Sequence, residues 1–126
     1  MSPSLRTGID LIEIRRFRDA YHRYDQRLLQ RLFTPIELAE NGVNMASLAA
    51  RFAAKEAVAK AFGTGIGRIS WQDIEIQRGC SGEPILQLHA AAQEMAEEQH
   101  ITTWSISLSH THRHAIAVVV AMIDQA

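Results

Sequence analysis

Cysteine is nearly absent: Cys80 stands alone among 126 residues. An internal disulfide is excluded, and so is a structural zinc site built on cysteines. Long apolar runs are missing too. None approaches the roughly 18 residues that mark a transmembrane helix. The opening MSPSLRTGID has no continuous apolar core of the secretory kind, so the expected compartment is the cytoplasm and no membrane partner is expected. Charge of one sign is also lacking. Thirteen Lys and Arg against 14 Asp and Glu give a formal net charge of -1, which argues against a broadly basic nucleic-acid binder. No low-complexity segment, Pro/Gly-rich linker or internal repeat divides the chain. Apolar residues, 47% of the total, run from end to end. They suit one domain over 1–126 with one core.

Residues 5–14, LRTGIDLIEI, read as a half-buried strand, with Ile12 and Ile14 alternating around Glu13. Over 15–32, six arginines are scattered among aromatic residues and leucines, predicting one or two short amphipathic helices with a basic face. Thr34-Pro35-Ile36-Glu37 is a helix start: a capping threonine, a proline at the first helical position and a glutamate closing a capping box. The segment 46–62, ASLAARFAAKEAVAKAF, is the strongest helix, ended by Gly63 and Gly65. Strands at 73–77 and 84–88 flank a turn at 79–82 and predict a hairpin. A helix at 89–99 and strands at 102–109 and 115–123 complete the chain. The sum is α+β, with a largely antiparallel sheet packed with a long central helix.

That helix carries the first chemical signal. Ser47, Arg51 and Lys55 share one stripe, while Glu56 and Lys60 form another more than a quarter turn away. Two narrow charged stripes on an otherwise apolar helix predict neighbours on both sides and partners for the charges. A simple Glu56–Lys60 pair one turn apart is the plain alternative. Asp10 is the second signal, because aspartate is depleted in strands. It is either a turn residue or a carboxylate held on a rigid element for a cation. If the fold joins Asp10 to Glu56, two carboxylates suit Mg²⁺, which completes its shell with water and phosphate oxygens. The glycine-rich 62–67 segment follows a helix, so it is neither a Walker loop nor a dinucleotide fingerprint. Its glycines either cap and turn or let backbone approach a phosphate. Three alternating histidines, His110, His112 and His114, suggest either a transition-metal site or, at His110, an anion contact.

At these residues the chain strongly resembles the holo-acyl-carrier-protein synthases, the small phosphopantetheinyl transferases. The resemblance rests on Gly8-Ile9-Asp10, Phe33-Thr34 with Glu37, Arg51-Phe52-Ala53-Ala54-Lys55-Glu56-Ala57 with Lys60-Ala61, Gly63-Thr64-Gly65-Ile66, Asp73-Ile74-Glu75, Gly82 with Pro84, and Ser107-Leu108-Ser109-His110. It implies a 4′-phosphopantetheinyl transferase-like fold. It also implies Mg²⁺-dependent transfer of 4′-phosphopantetheine from coenzyme A to a serine of an acyl carrier protein, in fatty-acid or polyketide synthesis. The other product is adenosine 3′,5′-bisphosphate.

By the same resemblance, Asp10 and Glu56 hold the metal, and Lys60 joins them in catalysis. The proton of the serine goes to Glu56 or to a water on the metal. Arg51, Lys60, Gly65, Gly82, Pro84, Ser109, His110 and Thr111 surround the coenzyme. Arg15, Arg16, Arg27 and Arg31 dock the carrier protein, and three copies form a homotrimer with sites between subunits. Glu83 departs from the pattern, which has Lys or Arg between Gly82 and Pro84. It puts an anion near the coenzyme, with His112, Arg113 and His114 as compensating cations or as tuners of carrier-protein preference. A catalytically inactive coenzyme A or nucleotide-binding module is the alternative.

Overall fold

Alternation decides the main sheet. In β1 (Ser4–Glu13) the even-numbered residues turn inward, and in β5 (His114–Ile123) the odd-numbered ones do. The antiparallel register pairs Gly8 with Val119 and Asp10 with Ala117. β4 (Ile101–His110) lies on the other side of β5, giving the order β1-β5-β4. β2 (Ile74–Arg78) and β3 (Pro84–Leu88) form the expected hairpin as a separate two-stranded sheet. The computed structural model describes residues 4–124.

Four α-helices are interleaved with these strands: α1 (Ile14–Leu32), α2 (Pro35–Asn41), α3 (Met45–Phe62) and α4 (Ala90–Glu98). α1 is broken at Asp25, where φ 54 and ψ -141 leave the helical region, so the expected one or two short helices are two helical segments joined across a kink. α3 starts under Asn44, whose side chain accepts from Ser47 N, and ends at Gly63 in the left-handed region. Alanines 115, 117 and 121 of β5 and alanines 49, 50, 53, 54, 57 and 61 of α3 are buried. Small side chains on both surfaces let the helix lie close to the sheet. Two apolar clusters grip α3. One joins it to the hairpin, α4 and the sheet; the other joins it to α1 around Phe17 and Phe33. No helix among the described residues is long and apolar enough to cross a membrane.

Lys55 has its partner in Glu37. The expected capping box is formed: Glu37 N donates to Thr34 Oγ1 at 3.2 Å, and Thr34 N donates to Glu37 Oε1 at 2.9 Å. The same carboxylate also reaches two other elements. Lys55 Nζ donates to Oε1 at 2.8 Å, and Ile76 N donates to Oε2 at 2.8 Å. Lys55 spends its other donors on Trp71 O at 2.9 Å and Ile74 O at 2.5 Å. Both charged side chains are fully buried. Burial lowers the Lys55 ammonium from its ordinary pKa, and the charge and hydrogen bond of Glu37 oppose that shift. Lys55→Met leaves a buried carboxylate without its cation, so the expected loss is about 3–5 kcal/mol in unfolding free energy. Urea denaturation at neutral pH measures it, and an unchanged midpoint would show that the pair holds nothing together.

Candidate active site

Gly8 brings β1 onto α3. A Cβ at Gly8 would fall 1.8 Å from Ala57 O, so no other residue fits without moving strand or helix. Asp10 follows two positions later on the same face of the strand. Glu56 precedes Ala57 on the helix. The contact that requires glycine thus brings Asp10 and Glu56 together. Lys60 completes the group: its ammonium donates to Asp10 Oδ1 at 3.0 Å and to Ile9 O at 2.9 Å. The ion pair one turn apart within α3 is not what forms. Lys60 reaches across to the strand and acts on Glu56 through its charge. Burial raises the Glu56 carboxyl above its ordinary pKa, the neighbouring Asp10 charge raises it further, and Lys60 opposes both.

Arg51 stands on the other flank of α3, about 140° around the helix from Glu56 at 100° per residue. It lines a cavity of about 220 Å³ with Ser47, Gly82, Pro84, Ser109 and His110. The fold therefore gathers five of the residues that resemblance places around the coenzyme. Arg51 is only 8% exposed, donates to Ser47 Oγ at 3.2 Å, and keeps a buried Nε with no partner. Burial lowers its pKa from the ordinary value, as does the charge of Arg78; Glu40 and Glu37 oppose.

Gly65 and Thr111 do not line this cavity. Gly65, at φ 66, sits in the turn after α3 with its N–H on Ala59 O at 3.3 Å. Thr111 closes the β4–β5 turn, its Oγ1 accepting from Arg113 N at 3.2 Å and His114 N at 3.1 Å. Glu83 is turned back on its own hairpin, where Oε1 accepts from Ser81 N at 3.0 Å. It is absent from the lining of the Arg51 cavity.

His112, Arg113 and His114 line a different cavity, of about 790 Å³, against Arg15, Arg18 and His22 of α1. Within one copy they do not share the Arg51 cavity. Among the described residues no group of three or more His, Cys, Asp or Glu is placed to hold a metal ion, so the turn histidines do not form a transition-metal site. Arg16 borders an apolar groove of about 340 Å³ formed by Ile12, Phe17, Leu28, Leu32 and Phe52. Arg27 and Arg31 lie beyond the break at Asp25 and are exposed. The arginines thus spread over several surfaces instead of one helical face.

Residues 6–119 match the family model of the 4′-phosphopantetheinyl transferase superfamily. The chain is 50% identical over 119 residues to a holo-[acyl-carrier-protein] synthase of Moorella thermoacetica, covering 92% of each. It is 46% identical over 123 residues to the corresponding protein of Herpetosiphon aurantiacus, covering 92% of this chain and 97% of the relative. The crystal structure of Helicobacter pylori holo-[acyl-carrier-protein] synthase in complex with coenzyme A superposes with a TM-score of 0.84 at 34% identity, covering 91% of this chain and 98% of that one. The chain belongs to the 4′-phosphopantetheinyl transferase superfamily, on its holo-acyl-carrier-protein synthase branch, and is an enzyme of that transferase family.

Asp10→Asn removes one charge beside Glu56 without changing shape much. The Glu56 carboxyl is then expected to titrate at lower pH than in the parent while staying above an exposed glutamate, since burial remains. Carboxyl-carbon NMR across the acid range reads both values. An unmoved Glu56 would mean that the two carboxylates do not face each other.

Proposed function

We propose that the chain transfers the 4′-phosphopantetheine arm of coenzyme A to a serine of an apo acyl carrier protein, releasing adenosine 3′,5′-bisphosphate. The observation that carries this reading is the meeting of Asp10 and Glu56, 46 positions apart by number, at a contact only glycine permits. Two hard oxygen donors with a like-charge conflict fit Mg²⁺. Their present counter-ion, Lys60, is 53% exposed on its side chain. Such a pair is worth about 0–1 kcal/mol, so a divalent ion displaces it readily. Asp10 and Glu56 would hold the ion, which when bound neutralises charge on the pyrophosphate.

The chain's own groups do the rest. Phosphoryl transfer depends mainly on positioning and charge stabilisation. Lys60, released from Asp10, presents a point charge to the leaving phosphate. The attacking serine must lose its proton. Glu56, whose carboxyl pKa is raised by burial and by Asp10, takes that proton directly or through a water it orients. The Arg51 cavity, with the Gly82–Pro84 turn, Ser109 and His110, holds the nucleotide end through the guanidinium, whose Nε has no partner.

These two groups lie on opposite flanks of a helix packed on nearly every side. A site completed where two copies meet lets one coenzyme touch both kinds of group without passing around the helix. The β1 flank of one copy against the β4 flank of the next is a head-to-tail contact, which closes into a ring. The outer face of the sheet supports association. Leu5, Ile9, Leu11, Val118 and Met122 stand exposed there, an apolar patch of the kind that marks an interface. The homotrimer of the family resemblance is the assembly we assign. The acidic carrier protein docks on α1 at Arg16, with the apolar groove beside it taking an apolar side chain, while Arg15, Arg27 and Arg31 on the other surfaces of α1 attract it at longer range.

Mass spectrometry of apo carrier proteins incubated with coenzyme A and Mg²⁺ is expected to show the added arm. Asp10→Ala and Glu56→Ala are each expected to lower kcat at least about a hundredfold while leaving the fold intact. No added arm across several carriers would refute the reading in favour of a binding module without catalysis.

Glu56→Ala and Arg51→Ala chains, each inactive alone, are expected to complement when refolded together. Random mixing restores about a quarter of parental activity, because a head-to-tail site needs one good flank from each neighbour. No recovery, with mixed oligomers confirmed by native mass spectrometry, would place the whole site within one chain.

A further inference from the structure

Arg51 is not the only guanidinium serving its cavity. Arg78 closes β2 directly opposite Pro84 of the hairpin that lines it. Its side chain is tied back to α2, Nη1 donating to Glu40 O at 3.0 Å and Nη2 to Asn41 Oδ1 at 3.0 Å. Asn41 is held in one orientation, because its Nδ2 donates to Glu37 O at 2.7 Å. The same Oδ1 accepts from Ser47 Oγ at 2.5 Å. Ser47 thereby commits its proton to Asn41 and turns a lone pair to Arg51 Nη1, at 3.2 Å.

The result is a continuous relay, Arg78–Asn41–Ser47–Arg51, with a cation at each end and every donor direction defined. Neither arginine forms an ion pair. The Glu40 carboxylate accepts from the Arg78 backbone N–H at 3.0 Å, while the guanidinium donates to the Glu40 backbone carbonyl. Two cations linked through neutral groups repel, and Arg51 feels Arg78 through its charge. Glu40 and Glu37 offset part of this charge, but neither carboxylate bonds to either guanidinium, which leaves a local excess of positive charge at the cavity wall that Arg51 lines. A doubly charged phosphate monoester relieves that excess more fully than the singly charged groups of a pyrophosphate.

We propose that Arg78 is a positioning residue for coenzyme binding, acting through Asn41 and Ser47 to aim Arg51 at a phosphate monoester of the coenzyme. This rests on the transferase reading above and extends it to residues outside the cavity lining.

The test compares Arg78→Gln, Arg78→Lys, Ser47→Ala and the Arg78→Gln/Ser47→Ala double variant of the full chain. Arg78→Gln is expected to raise the KM for coenzyme A about tenfold, with a much smaller change in kcat and none in the KM for the carrier protein. Arg78→Lys restores part of the loss, since charge returns without the planar fork. The double variant is no worse than the poorer single one, because both act on the same link. With 3′-dephospho-coenzyme A the parent and Arg78→Gln are expected to converge. An unchanged KM, a loss shared equally with the carrier protein or with the dephosphorylated substrate, or an additive double variant would each overturn the proposal. Calorimetry with adenosine 3′,5′-bisphosphate separates the two readings, since it needs no turnover. A parent that binds the nucleotide about tenfold more tightly than Arg78→Gln, yet transfers nothing, supports Arg78 and refutes the transferase. Equal binding by the two overturns Arg78 whatever the activity.

Discussion

The buried carboxylate of Glu37 fixes how α3 sits. It takes hydrogen bonds from Thr34 N, Lys55 and Ile76 N, and so ties the start of α2, the middle of α3 and strand β2 at one point. A helix buried on almost all sides has no amphipathic face to set its rotation. Apolar packing of alanines against alanines tolerates more than one roll of the helix. A single lysine with three fixed acceptors does not. Once Lys55 is locked, Arg51 must face the hairpin and β4, and Glu56 must face β1. Both halves of the site follow from one ion pair that touches neither.

This also explains why a charged pair is kept in so expensive a place. Taking two charges out of water costs more than their attraction usually returns, and apolar replacements are often as stable. Here the carboxylate also satisfies two backbone N–H groups from two elements. The lysine satisfies two backbone carbonyls, Trp71 O and Ile74 O, where the chain turns into β2. An apolar pair would leave those groups unpaired. What the pair secures is orientation more than stability.

Much of this was legible in the sequence. Alternation in β1 and β5, the Thr34–Glu37 box and the alanine-rich helix each carry a local signal, and each appears where that signal points. The two charged stripes on α3 correctly required neighbours on both flanks. What local signals could not give was the choice of partner. Glu37 read as a capping residue because one of its oxygens is one; the demand on the other comes from β2, 39 positions away by number. Lys60 read as the neighbour of Glu56 on the helix, but Gly8 brings Asp10 within 3.0 Å of it. Asn41 and Arg78 gave no signal, since a polar residue at a helix end and an arginine at a strand end are ordinary surface choices. Glu83 looked like an anion facing a ligand, and only the hairpin shows its carboxylate spent on Ser81 N.

The same geometry sets the logic of the whole molecule. A helix wide enough to be wrapped by a sheet, a hairpin and two other helices holds its two flanks about 10 Å apart. Its two flanks therefore face different neighbours, Glu56 toward β1 and Arg51 toward the hairpin and β4. If α3 were a surface helix, one chain could wrap a ligand over its exposed side. Buried as it is, it suits the proposed site shared between copies, in which the carboxylates of β1 and α3 and the guanidinium of Arg51 would serve one coenzyme. The exposed apolar face of the sheet then has a use. Leu5, Ile9 and Leu11 lie on the strand that carries Asp10, on the face turned away from it. Covering that face would bury the outer side of the strand whose inner side presents Asp10 to Glu56. In the proposed assembly one strand would have two uses, its inward residues the chemistry and its outward residues the contact.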